Sequence, residues 1–333
     1  MISNDMPSKD MISPELIRKI RYIQLRTRRT VTTAFAGEYR SVFRGQGMEF
    51  DEVREYQPGD DVGSIDWNVT ARTGRPHVKR FVEERELTVF FVVDVSASGR
   101  FGSAGAAKTE VAAELAAVVS FAAARQNDRV GLLAFSDRIE LFVPAKKGIT
   151  HVLRIVREIL SIQPAGTGTD LAGAMRYLNL VLRRRATVFL ISDFLCGGGT
   201  DDAPPWWSRL AGGPAGSREA ETSAPIPSTT DLRMAARRHD LIAASIFDPR
   251  EAEMPPAGMV ELEDAESGRL TLLDTGSRRV RRDYERRSRG RREALSRQLR
   301  ELGIDEIPIR TDASWVDRLG RFFRMRERRA AWA

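Results

Sequence analysis

A short run of oxygen-bearing residues, Asp94-Val95-Ser96-Ala97-Ser98, directly follows an apolar run at residues 87–93. The apolar run is rich in β-branched and aromatic residues, which predicts a buried β-strand. The run after it places a carboxylate and two hydroxyls at alternate positions, where the strand ends. Three oxygens on one loop suit a small hard cation such as Mg²⁺.

Two later segments carry the same kind of side chain. Thr169 lies in the small-residue loop 166–170 before a predicted helix, and Asp193 follows a second apolar strand at residues 188–191. Open α/β sheets place their ligands at the carboxyl edge of the parallel strands, where these segments would meet. We therefore expect one Mg²⁺ or Mn²⁺ to be held by Asp94, Ser96, Ser98, Thr169 and Asp193.

The sequence resembles a known family in two places. The order Asp-x-Ser-x-Ser, then Thr, then Asp resembles the metal-ion-dependent adhesion site of von Willebrand factor A domains. The run Gly-Met-Glu-Phe-Asp-Glu-Val-Arg-Glu-Tyr-Gln-Pro-Gly-Asp-Asp at residues 47–61, continued by Ile-Asp-Trp at 65–67, is similar to the family called domain of unknown function 58. The resemblance covers most of residues 11–329. One departure is Gly63 or its neighbour Ser64, where the family usually has an arginine.

This resemblance implies a bacterial or archaeal protein with a von Willebrand A-like domain that binds rather than catalyses. In such a site, hydroxyls ligate the cation directly and some carboxylates act through water. One coordination position then stays open for an acidic side chain of a partner. Members of the family are commonly encoded beside MoxR-type AAA+ ATPases and are thought to assemble, mature or remodel client proteins with them. The resemblance therefore implies such an ATPase, and a client, as partners.

The order of predicted elements independently favours the α/β class. From residue 86 onward strands alternate with helices, which predicts a mostly parallel sheet covered by helices on both faces. Residues 138–143 are expected to form an antiparallel edge strand, and residues 259–273 an edge hairpin. We divide the chain into an N-terminal module at 1–85, with a basic helix and short strands, and a von Willebrand A-like domain at 86–329.

One segment interrupts this alternation. Residues 196–228 are dominated by Gly, Pro, Ser, Ala and Thr, as in Gly197-Gly198-Gly199. Such a composition buries too little apolar surface to offset the entropy of ordering, which predicts a flexible insertion. Trp206 and Trp207 lie inside it, either as a local packing contact or as a binding epitope.

The N-terminal module allows two interpretations. In one, the segment from Glu49 to Trp67 is a structural unit, with two aspartates in a turn and the tryptophan packed in a core. In the other, it is a surface that contacts a partner. The residues of that second interpretation are Glu49, Arg54, Tyr56, Asp60, Asp61, Asp66 and Trp67.

A rival function is contained in residues 102–109. This segment nearly matches the phosphate-binding loop Gly-x-x-x-x-Gly-Lys-Thr, which would make the chain a nucleotide hydrolase. Ala107 replaces the second glycine, and the loop begins eight residues beyond Asp94 instead of at the end of the strand. The simpler interpretation is that Lys108 and Thr109 open a helix. No other nucleophile or zinc motif is evident.

Composition narrows the setting. The single cysteine, Cys196, fits a reducing compartment, and no apolar run reaches the roughly 18–20 residues of a membrane span. With no apolar signal core at the N-terminus, we expect a cytoplasmic protein.

The net charge is +7, and residues 278–300 hold eleven arginines and three acids. These form either a solvated helix face or a surface for an acidic partner or membrane; without interleaved aromatics, nucleic acid is not expected.

Overall fold

The part of the chain that the computed structural model describes includes ten strands and eight α-helices of known bounds. That part is residues 48–83, 86–103, 105–195, 228–266 and 268–331, with Arg18, Tyr22, Tyr39 and Ile226. The strands are β1 (Met48–Glu55), β2 (His77–Glu83), β3 (Thr88–Asp94), β4 (Arg129–Phe135), β5 (Ile139–Lys146), β6 (Thr187–Ser192), β7 (Asp240–Phe247), β8 (Met259–Glu263), β9 (Leu270–Asp274) and β10 (Asp305–Arg310). The helices are α1 (Trp67–Thr73), α2 (Lys108–Arg125), α3 (Ile149–Ser161), α4 (Leu171–Val181), α5 (Thr230–Arg238), α6 (Pro249–Ala252), α7 (Arg278–Glu301) and α8 (Val316–Ala331).

Six strands form one central sheet in the order β10-β7-β6-β3-β4-β5. All neighbouring pairs are parallel except β4 with β5, which is antiparallel. The predicted mixed α/β architecture with a mostly parallel sheet and an antiparallel edge strand is therefore confirmed. In this register Val93 of β3 lies beside Ile191 of β6, so the two predicted aspartates follow neighbouring strands.

The sheet is covered on both faces, which explains the unbroken apolar runs of its inner strands. Val89, Phe91 and Val93 of β3 pack into one core with α2, α3 and α8. Phe90 and Val92 pack into the opposite core with α4, α5 and α7. Every residue of β6 is buried as well. Neither β3 nor β6 has a solvent face that would need alternating polar residues.

The strand order changes direction at β3. The chain runs from β3 to β4 on one side of it, and later enters β6 on its other side. The crossovers from β3 and from β6 therefore leave in opposite directions, which opens a crevice at the carboxyl ends of these two strands. Asp94 ends β3, and Asp193 directly follows β6. The fold thus places both predicted ligands at the position where open α/β sheets bind.

The described part of the N-terminal module is a β-hairpin with a short helix. Strands β1 and β2 pair antiparallel, with an irregularity between Phe50 and Glu52, and α1 lies between them in the chain. Trp67 is 67% exposed, so the interpretation that packs it in a core is wrong. It is the first residue of α1, and Val69 and Thr70 are the less exposed positions of that helix.

Most of the predicted basic helix lies outside the described residues, as do Trp206 and Trp207. Arg18 and Tyr22 are helical. The division of the chain at residues 85 and 86 stays a prediction.

The predicted insertion lies largely outside the described residues too, but Ile226 within it is described. Its side chain is 1% exposed and belongs to the core shared with α4, α5 and α7. Its backbone N–H donates to Gln298 Oε1 at 3.1 Å, and its carbonyl accepts from Gln298 Nε2 at 2.8 Å. The flexible insertion was predicted to extend to residue 228, and at Ile226 that prediction is wrong.

The last third of the chain adds a second hairpin and the arginine-rich helix. Strands β8 and β9 pair antiparallel, which confirms the hairpin, but they form a sheet of their own, so its predicted position at a sheet edge is wrong. Helix α7 buries Tyr284, Leu295 and Leu299, and most of its arginines face outward. Among the described residues, no helix combines the length and apolar character that crossing a membrane requires.

Candidate functional site

Asp94 is the centre of the predicted metal edge. It is buried at the end of β3, where its Oδ1 atom accepts from the backbone N–H of Ser96 at 3.0 Å. Its Oδ2 atom accepts from the hydroxyl of Ser192 at 2.6 Å. Ser192 is the last residue of β6, so this bond ties the ends of the two strands that border the crevice.

The two serines of the motif lie on the turn that follows β3. Ser96 precedes a 3₁₀ turn at Ala97–Arg100, and the Oγ atoms of Ser96 and Ser98 are 3.1 Å apart. The backbone N–H of Ala97 donates to the carbonyl of Thr167 at 3.0 Å. That bond holds the turn against the loop that carries Thr169. The structure therefore brings the first two predicted segments together at one edge.

Thr169 has a partner that the sequence did not indicate. Its Oγ1 atom donates to Oε1 of Glu266 at 2.8 Å. Glu266 lies in the turn between β8 and β9, 97 positions further along the chain. The sequence predicts only a hairpin turn for the segment around Glu266, so nothing in the local sequence reveals this contact.

Asp193 is held by a buried ion pair. Lys108 Nζ, at the start of α2, lies 2.7 Å from Asp193 Oδ2, and both side chains are 3% exposed. The ammonium also contacts the carboxylate of Glu251 on α6. The other oxygen, Asp193 Oδ1, accepts from the backbone N–H of Leu195 at 2.9 Å. Lys108 and Glu251 are therefore parts of this edge that the sequence analysis missed.

A lysine at the start of an apolar helix was the available signal for this ion pair. Such a helix begins at the same sheet edge as the two aspartates, so a cation there would lie within reach of them. The partner glutamate gave no comparable signal, because only the folded chain brings α6 to α2.

The edge carries an excess of negative charge. Burial and the neighbouring charge of Asp193 raise the pKa of Asp94 to about 6, against the hydrogen bonds from Ser192 and Ser96. Burial also raises the pKa of Glu266 to about 7. Burial acts on Asp193 in the same direction, but the Lys108 ammonium outweighs it and lowers the pKa of that carboxyl below its usual range. Carboxylates gathered in this way favour a cation between them.

The donor set at this edge fits a hard divalent cation only if hydroxyls take part. No three His, Cys, Asp or Glu side chains of the described residues are grouped as a metal centre on their own. Asp94, Ser96, Ser98 and Thr169 instead offer a mixed set of carboxylate and hydroxyl oxygens, which is the chemistry that Mg²⁺ and Mn²⁺ accept. A cavity of about 10 Å³, close to the volume that one water needs, lies between Asp94, Ser98, Lys108 and Asp193.

In residues 102–109, which resemble a phosphate-binding loop, Lys108 and Thr109 make contacts inside the protein. Lys108 uses its ammonium in the buried ion pairs with Asp193 and Glu251. The hydroxyl of Thr109 donates to the carbonyl of Gly99 at 2.8 Å. In a phosphate-binding loop these two side chains would face a nucleotide and its Mg²⁺. Here both are engaged inside the protein, which weighs against the nucleotide hydrolase.

Most of the candidate partner-contact residues have structural contacts. Arg54 and Asp60 form a two-point ion pair at 2.9 and 2.7 Å. Asp61 caps a 3₁₀ turn by accepting from the Gly63 N–H, and Asp66 caps α1. Trp67 is the exception, as a large exposed aromatic residue. Tyr56 is partly buried, and the side chain of Glu49 lies outside what the structure describes.

Comparison with known proteins gives matches over most of the chain. The family model described as "Protein of unknown function DUF58" matches residues 52–294. The uncharacterized protein Rv1480 of Mycobacterium tuberculosis is 34% identical over 325 residues, which are 96% of this chain and 93% of that protein. The uncharacterized protein Mb1516 of Mycobacterium bovis matches to the same extent. Among solved structures, the conserved hypothetical protein BatB of Bacteroides thetaiotaomicron aligns with 74% of this chain and 100% of its own, at 14% identity and a TM-score of 0.41.

Proposed function

This chain belongs to the DUF58 family, and we propose that it is a divalent-cation-dependent protein-binding module with a von Willebrand A-like domain. The observation that carries the proposal is the meeting of Asp94, Ser96 and Ser98 with Asp193 at the crevice between β3 and β6. The ends of these two strands are joined directly by the bond from Ser192 to Asp94. Ligands of open α/β sheets bind at such a point.

The side chains at this edge suggest how Mg²⁺ or Mn²⁺ would be held. The hydroxyls of Ser96, Ser98 and Thr169 and the carboxylate of Asp94 are the direct ligands in this proposal. Asp193 acts through water, because the Lys108 ammonium, 2.7 Å from its Oδ2 atom, repels a cation bound directly to that carboxylate. The bound cation would supply an open coordination position, since Mg²⁺ takes six oxygens and keeps part of its water.

The proposed module binds and does not catalyse. The described side chains at the edge are hydroxyls, carboxylates and one buried, ion-paired lysine. None of the serine hydroxyls is paired with a histidine that could activate it as a nucleophile among the described hydrogen bonds. The engagement of Lys108 and Thr109 inside the fold speaks against nucleotide hydrolysis, the alternative activity.

The partner class follows from the family resemblance. We assign the partners as a MoxR-type AAA+ ATPase and a client protein that the two assemble, mature or remodel. An acidic side chain of either partner would complete the cation's coordination. Trp67 supplies a second contact, because it is 67% exposed on the N-terminal module while its neighbours Asp61 and Asp66 serve as helix caps.

Calorimetric titration of the full chain with MnCl₂ and MgCl₂ tests the cation site. The parent should bind one ion, and Asp94→Ala should weaken the binding at least about tenfold, as the loss of a charged ligand does. Asp61→Ala, at an exposed position of the N-terminal module, is the matched control and should bind as the parent does. Equal affinity in the parent and in Asp94→Ala would remove the basis of the proposal.

A further inference from the structure

The turn of the β8–β9 hairpin brings a carboxylate to the metal edge from outside the central sheet. Oε1 of Glu266 accepts from Thr169 Oγ1 at 2.8 Å, and the glutamate is partly buried there. Thr169 is one of the three hydroxyls of the proposed cation site. Glu266 therefore lies beside a ligand position and not on the free surface of the hairpin.

The hairpin is anchored at its base. Leu273 is fully buried, and the hydroxyl of Thr275 donates to the carbonyl of Gly258 at 2.7 Å. The strands β8 and β9 form a sheet of their own and share no ladder with the central sheet. The turn that carries Glu266 can therefore change position without breaking backbone bonds of the central sheet.

The charges that act most strongly on Glu266 are of its own sign. Asp94, Asp193 and Asp264 act on its carboxylate, and no ion pair of Glu266 occurs among the described residues. A single hydrogen bond to Thr169 explains how the turn is held. It does not explain why a carboxylate is brought close to two further buried carboxylates, which repel it. A cation shared among these groups removes that repulsion.

We propose that Glu266 is the chain's own carboxylate ligand for the divalent cation, in the coordination position that an acidic side chain of a partner would take. This inference rests on the proposed function. It makes the hairpin a built-in competitor of the partner. A partner's carboxylate binds the cation only when the turn between β8 and β9 moves away from Thr169.

The substitution Glu266→Gln tests this assignment in the full chain. Titration with MnCl₂ should show binding at least about tenfold weaker than in the parent, because a neutral amide replaces a charged ligand. Glu263→Gln is the matched control, since Glu263 is exposed on the same hairpin and should leave the affinity unchanged. Thermal unfolding of all three proteins checks that each is folded.

Hydrogen exchange of the hairpin amides gives a second readout. Added Mg²⁺ should slow exchange across residues 259–274 in the parent and in Glu263→Gln, because the cation then ties the turn to the central sheet. It should have no such effect in Glu266→Gln. Protection that appears equally in Glu266→Gln would overturn the assignment.

The outcomes separate this inference from the proposed function. If Asp94→Ala loses the cation while Glu266→Gln keeps it at the parent affinity, Glu266 is not a ligand and the proposed cation site stands. If the parent binds no cation, or Asp94→Ala binds it as well as the parent does, the proposed function fails and the inference fails with it.

Discussion

The ammonium of Lys108 lies 2.7 Å from Asp193 Oδ2, with only 3% of either side chain exposed. The same ammonium contacts Glu251, so the positive charge of Lys108 balances two carboxylates at the carboxyl edge of the sheet. This arrangement fixes the orientation of Asp193 beside the proposed cation site. It also keeps the net negative charge of the edge lower than its carboxylates alone would make it.

Removing the positive charge of Lys108 should destabilise the fold strongly. In Lys108→Met the buried Asp193 and the partly buried Glu251 lose their partner, and the loss of one member of a buried ion pair typically costs about 3–5 kcal/mol. Urea denaturation should show a decrease of that size in the free energy of unfolding.

Arg286→Met is the control for this substitution. Its ion pair with Asp283 is exposed at 76% and 30%, so its loss should cost less than about 1 kcal/mol. Similar stabilities of Lys108→Met and Arg286→Met would contradict the assigned role of Lys108.

Helix α2 shows how far the sequence alone could lead. The sequence predicted that Lys108 and Thr109 open a helix, and the structure has α2 at Lys108–Arg125 with thirteen of its residues buried. The strands beside it were predictable because strands covered on both faces appear in the sequence as continuous apolar runs. The ion pair of Lys108 was not predictable, because its partners are 85 and 143 positions away.

Trp67 and Ile226 show where composition misleads. A tryptophan near a strand suggests a core position, yet none of the seven residues of α1 is fully buried, and Trp67 is 67% exposed. Ile226 stands in a stretch dominated by Pro, Ser and Ala, which suggests a flexible chain. Ile226 is nevertheless held in place, because its side chain is buried and its backbone makes two hydrogen bonds to Gln298.

Ile226 should therefore contribute to stability. The side chain is 1% exposed in the core beside α4, α5 and α7, and Ile→Ala changes in such positions cost about 2–5 kcal/mol. Chemical denaturation of Ile226→Ala should show that loss. Leu180→Ala, at a residue that is 73% exposed, provides the comparison and should change stability by less than about 0.5 kcal/mol. Equal stabilities of the two variants would show that Ile226 is not packed.

His239 should make the fold sensitive to acid. Its ring is 3% exposed, and neither ring nitrogen has a hydrogen-bond partner among the described residues. Burial, together with the charges of Arg238 and Arg185, lowers the pKa of His239 to about 4. The folded protein keeps this ring neutral, whereas the unfolded chain takes up a proton near its ordinary pKa of about 6.5. The contribution of the neutral His239 ring to the free energy of unfolding is fully present above about pH 6.5 and is lost as the pH falls toward 4.

The variant His239→Phe isolates this contribution. Between about pH 7 and pH 5, the parent should lose about 1–2 kcal/mol more unfolding free energy than the variant does. Denaturation curves at several pH values, taken on both proteins, measure that difference. Parallel pH profiles would mean that His239 is not buried as a neutral ring.

Cation-dependent binding of a partner is the central claim, and one experiment tests it most directly. Purified MoxR-type ATPase from the same organism is passed over the immobilised full chain in Mg²⁺ and then in chelator, at low and at high salt. We expect chelator to abolish the complex at either salt, and Ser96→Ala combined with Ser98→Ala to do the same. Added salt should mainly slow association, since it screens charges beyond about 8–10 Å. A complex that survives both chelator and the double substitution would contradict the account, because the metal edge would then not be the interface.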